Sequence, residues 1–249
     1  MPTPLVEPRP VLHSAAAGET GVTRTRKVGM AAGAVRSQSH RTGTLARVAS
    51  LAGAASVVVA YAGVSFGDLG GKGINPTMAP DVIVGALQEH TDALRAGASL
   101  LSVGAVLVVL FAGPLWLRLR AASDWVAVIG MAGAVLTATQ WLSFAADGIG
   151  LATAAELSSG ATAQVLMTTG WESARIAAVP SLVMVTAAVI AGFGYGLFPR
   201  WFRWFSAAML VPLLIALTPM GPAGLLGFLF GGLWVVVTSL LLARDAPAR

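Results

Sequence analysis

The chain is 249 residues long; 56% of them are hydrophobic, only 11% are charged, and the net charge is +5. A soluble domain carries about a quarter charged residues, so this composition, with a mean hydropathy of +0.77, excludes a solvated globule and points to a membrane protein. The absence of cysteine removes disulfides, thiolate nucleophiles, iron–sulfur clusters and Cys-ligated zinc. All three histidines (His13, His40 and His90) lie outside the apolar stretches, which leaves little for haem or His-metal chemistry.

Residues 1–47 are rich in Pro, Thr, Ser, Ala and Arg and have no sustained apolar period, so they read as a disordered basic tail. A retained signal anchor is expected rather than a cleaved leader, because the basic region before the first apolar run is too long. Met30 offers an internal start that would shorten this tail. Its charges fix topology, and nucleic-acid binding is not expected of them.

A bilayer core takes about 20 apolar residues per helix. Four runs meet that length, 48–67, 96–117, 125–146 and 176–198, each flanked by charge. A fifth run, 204–243, is about twice the required length and must fold back at Thr218-Pro219-Met220-Gly221-Pro222, where two prolines and a glycine end a helix. This gives spans at 202–218 and 223–243. The fold expected is therefore an all-α polytopic bundle of six spans over 48–244, with a short tail at 245–249 and a fifth span short enough to be re-entrant.

Charge places the two ends. With six spans and both termini cytoplasmic, the inner segments hold thirteen of sixteen basic and four of eleven acidic residues, net +9, leaving −4 outside. A cytoplasmic-membrane location follows from this reading. Five spans, the runner-up, would send Arg244 and Arg249 outward, a weaker fit to the rule.

The outer loops are long. In the first, Gly67 to Gly73 reads as a flexible hinge, and Pro80-Asp81 opens a helix expected to run without interruption into the second span. The second, between 146 and 176, is polar and is expected to cap the bundle. Gly192 with Gly196, and Gly227 with Gly231, have the four-residue spacing that lets helices approach closely. Pro114, Pro180 and Pro212 predict kinks. Most of the tryptophans fall at span ends, as aromatic belts do.

Polar residues near membrane depth are the best functional pointer. Gln140 and Asp147 on span three, Glu172 and Arg175 where span four begins, and Arg95 at the mouth of span two are the candidates for an outward-facing polar pocket that binds a ligand or relays a proton. Asp147 is placed to face Arg175. The alternative use of the same residues is to tie outer helix ends together, with Gln140 as an interhelical hydrogen bond. A Ser65, His90, Asp92 triad is not expected, since Gly63-Val64-Ser65-Phe66-Gly67 sits at the end of a membrane helix. No ligand pair has metal spacing, and no cofactor is called for.

His90-Thr91-Asp92-Ala93-Leu94-Arg95 leading to Leu115-Trp116-Leu117-Arg118-Leu119-Arg120, then Phe198-Pro199-Arg200-Trp201, then Leu233-Trp234-Val235 and Ser239-Leu240-Leu241-Leu242-Ala243-Arg244 together resemble the uncharacterised six-helix integral membrane proteins of actinomycete-type, Ala- and Gly-rich proteomes. The resemblance implies the six-span fold over 48–244 and no chemistry. The function expected is that of a non-enzymatic scaffold, sensor or partner subunit binding a membrane-protein partner or a small molecule; the alternative is a small permease.

Overall fold

The computed structural model describes residues 24–67, 73–218 and 223–245, with side chains at 44–67, 73–174, 176–218 and 226–245. Among these residues there are eight helices and no strand: α1 (Arg24–Gly67), α2 (Pro80–Gln88), α3 (Thr91–Arg120), α4 (Asp124–Glu156), α5 (Gly160–Arg175), α6 (Ala178–Tyr195), α7 (Arg200–Ile215) and α8 (Ala223–Asp245). The chain divides into two units, Met1–Arg41 and Thr42–Arg249. Of the first, only the opening of α1 from Arg24 is described, and it is helical where composition predicts disorder; Arg, Lys, Met and Ala are strong helix formers. Residues 1–23, the glycine-rich 68–72, the 219–222 break and the tail beyond Asp245 lie outside the described residues.

Five stretches are long and apolar enough to cross a membrane: Thr44–Gly67, Thr91–Arg120, Asp124–Glu156, Gly160–Tyr195 and Leu226–Asp245. Their outward faces suit lipid. Val58, Val106, Val128 and Leu240 are all more than half exposed, a surface that water would penalise and hydrocarbon would not. Helix α7, with 16 residues, rises only about 24 Å and falls short of a bilayer core of about 30 Å.

The second unit is built on a hairpin of α3 and α4, turned at Ala121–Ser123, with α6 packed on α4 and α7 and α8 beyond. Small residues set these approaches, as expected without a hydrophobic force between helices in lipid. A Cβ on Gly133 would stand 2.8 Å from the Met184 nitrogen of α6, and one on Gly97 would stand 2.7 Å from the Gly63 carbonyl of α1. Gly227 and Gly231 press on Ala178 and Ser181, so this small-residue pair joins α8 to α6 within the chain.

Gly196 works differently from the predicted pairing. It ends α6 in the left-handed region at φ 68°, and the Leu197 amide donates back to the Ala191 carbonyl, which a residue with a Cβ would resist. Pro114 and Pro212 lie inside α3 and α7 as predicted. Pro180 instead sits in the first turn of α6, where its missing N–H has no carbonyl to reach.

Two predicted connections change form. The helix expected to run from Pro80 into span two is broken at Glu89–His90, because His90 leaves the helical region (φ −120°, ψ 12°) and the Thr91 hydroxyl donates to the Leu87 carbonyl, 3.2 Å away. The loop between spans three and four is helical: α4 runs to Glu156 and turns through Leu157–Ser159 into α5. At 33 residues α4 is about 50 Å long, some 20 Å more than a bilayer core. Its far end carries a second apolar cluster, where Ile83 and Leu87 of α2 meet Leu151 and Ala155 of α4 and Met167 of α5.

Candidate functional site

Helices α2 and α5 cap one end of the bundle. Gln88 donates to the Ala155 carbonyl at 3.0 Å, and Gln164 donates to the Pro76 carbonyl at 3.0 Å, so side-chain amides fasten α2 to α4 and the irregular stretch before α2 to α5. Beneath this cap lies a cavity of about 430 Å3, walled by the ends of α1 and α3, the middle of α4, α5 and one ring from α8, Phe228. That volume falls in the range of small-molecule sites.

Glycine makes the room. Gly63, Gly67, Gly97, Gly148 and Gly170 all line the cavity; Gly63, Gly97 and Gly148 let α1, α3 and α4 approach one another there, whereas a Cβ on Gly67 would meet nothing within 4 Å. A Cβ on Gly170 would meet only the Asp147 carboxylate, at 3.8 Å. The rest of the lining is Leu, Ala, Val, Met, Phe and Trp; among the described lining residues Asp147 alone is ionisable. No hydrogen bond or ion pair from a described residue reaches its carboxylate. Among its described lining residues the pocket is therefore apolar with one carboxylate, that of Asp147, the one of the five candidates that lines it.

The four of those five residues whose side chains are described stand apart, and of them only Asp147 lines this cavity. Arg95 forms an ion pair with Glu156 at 2.7 Å, joining the start of α3 to the end of α4, and both side chains are about half exposed. Glu172 is exposed near the end of α5 and makes a polar or electrostatic contact of its own. The Arg175 side chain, and with it the expected pair with Asp147, lies outside the described residues. Gln140 donates to the Ser173 carbonyl at 3.3 Å, so it is an interhelical hydrogen bond from α4 to α5. It also lines a second void of about 30 Å3, with Tyr61, Thr137 and Ser181, that shares Phe144, Ala177 and Phe228 with the large cavity.

The remaining polar groups in the bundle turn inward on their own helices. Thr137 donates to Gly133, Thr238 to Trp234 and Ser239 to Val235, each through a carbonyl four residues back, the usual way a hydroxyl is satisfied without water. Ser65 donates to Tyr61 and the His90 ring bonds the Ala86 carbonyl, which leaves neither aimed at a shared substrate. Among the described residues no cluster of His, Asp or Glu could hold a metal ion.

The cavity escaped the sequence reading for a reason. Its makers are glycines and apolar residues from five helices, and the polar-residue search could find only Asp147. A signal was present: Gly63 and Gly67 have the four-residue spacing, but they read there as a hydrolase motif and a hinge. No family model, curated protein or solved structure matches the chain.

Proposed function

We propose that this is a non-enzymatic protein of the cytoplasmic membrane that binds a small molecule with a largely apolar body in the cavity beneath the α2–α5 cap and passes that state to a partner, as a sensor or partner subunit does. The observation that carries the reading is the cavity of about 430 Å3, on whose walls Gly67 of α1 and Gly170 of α5 leave space unfilled. The topology proposed with it has six crossings, α7 being the short one, with both termini cytoplasmic and the cap outside; membership of the six-helix actinomycete-type proteins belongs to the same proposal. A chain with no native cysteine gives a clean background for the topology. A single cysteine replacing Ser158 should label from outside and one replacing Ala121 only from the cytoplasmic side; the reverse would overturn the orientation, and labelling of both from one side would overturn the α4 crossing.

The binding test uses protein in lipid nanodiscs titrated calorimetrically with a neutral apolar probe, 1-adamantanemethanol. Saturable heat is expected from the wild type and none from Gly170→Phe, whose ring would occupy the cavity. Equal heats from both would remove the cavity as the site. The alternative, a small permease, draws on the 30 Å3 void beside Gln140 and Tyr61, which continues the cavity toward α6 and α8. It predicts probe counterflow in proteoliposomes, which a sensor would not show.

A further inference from the structure

We infer that the molecule this cavity takes is a cationic amphiphile, an amine on an apolar body, with its ammonium group held by Asp147; the inference rests on the cavity being the binding site. Asp147 stands on the α4 wall facing Gly170, the one ionisable side chain among the described lining residues. Helical carbonyls cannot donate to it, and no described donor reaches it. The Arg95 guanidinium, carried by the neighbouring α3, is committed to Glu156 at 2.7 Å.

Closing an apolar body over this carboxylate strips its water, and an ionised carboxylate taken out of water without a partner is strongly unfavourable. A neutral ligand leaves that cost in place. An anionic one adds repulsion. A cation removes it, because attraction between opposite charges grows as the local dielectric falls, and an ammonium also supplies the donors that two carboxylate oxygens accept. The walls fit the other half of the ligand: Leu94, Leu101, Leu166 and Met167 offer only apolar surface. Val64 of α1 and Trp171 of α5 line the cavity and are themselves exposed, so its rim on α1 and α5 is apolar and suits a molecule that partitions into membranes.

The test compares three probes of one shape in the same nanodiscs: 1-adamantylmethylamine, 1-adamantanemethanol and 1-adamantanecarboxylate. The amine is expected to bind at least tenfold more tightly than the alcohol, and the carboxylate not at all. Asp147→Asn should bring the amine down to the alcohol, while Asp147→Glu should keep most of the preference; size-exclusion profiles check that both variants remain folded. Equal binding of amine and alcohol to the wild type, or an amine preference that survives in Asp147→Asn, would overturn the assignment of ligand class and leave the cavity reading standing. Failure of every probe, with no difference in Gly170→Phe, would instead overturn the cavity reading and this inference with it.

Discussion

The two ends of the bundle solve the same packing problem in opposite ways. At one end, arginines close on backbone carbonyls. Arg203 donates to the carbonyls of Phe198 and Gly196 at 2.6 and 3.0 Å, covering the end of α6, and Arg118 reaches Leu197 and Asp245 with its guanidinium 5.9 Å from the Phe198 ring centre. Phe202 and Trp234 are fully buried behind them, and the Trp234 indole donates to Ser206 at 3.0 Å. At the other end Gly67 and Gly170 leave space that a larger side chain would fill, and two short helices roof the gap. Close packing at one end and retained volume at the other fit the ligand-binding role proposed above.

Four substitutions test that contrast, in order of expected size. Trp234→Ala should be the most damaging, costing about 3–5 kcal/mol as an aromatic lost from a packed core, read as a loss of resistance to denaturing detergent. If it proves near neutral, the closed end is not closely packed. Arg203→Ala removes two hydrogen bonds from a charged donor and should cost about 1.5–3 kcal/mol, with Arg203→Lys recovering only part because its ammonium cannot fork between two carbonyls. Gln140→Leu removes one interhelical bond to Ser173 and should cost about 1 kcal/mol; total loss of folded protein would show that the void beside it also depends on the amide. Gly170→Ala points a methyl into open space and should change stability by less than about 0.5 kcal/mol, measured by thermal melting. A large destabilisation there would mean that the cavity end is as tightly packed as the other.

Much of this arrangement was legible before any coordinates. The apolar runs mark the long helices because a backbone in lipid must satisfy its own hydrogen bonds, and the helix meets that need within one segment. The first four predicted spans fall on α1, α3, α4 and α6, and the α8 run on the fifth long apolar helix. Boundaries were harder. Helix α4 continues about ten residues past its predicted end because a single charge, Asp147, bounds an apolar run without ending a helix, and beyond it Leu151, Ala152, Ala154 and Ala155 are again apolar and buried. The site was legible only in Asp147 and Gln140. Arg95 looked like a pocket residue because sequence cannot show that Glu156, 61 positions away, would come within 2.7 Å of it.

By itself the sequence determined the solvent this protein is made for, the helices that follow from that solvent and the breaks where proline, glycine or a polar turn interrupts them, since each depends on local composition and on hydrogen bonds between near neighbours. Only the tertiary structure decided which faces meet. Whether a glycine closes an approach, as Gly133 does against Met184, or leaves one open, as Gly170 does before Asp147, depends on what a distant helix places opposite it. No local pattern carries that information, because a glycine contributes no side chain from which the neighbour could be read.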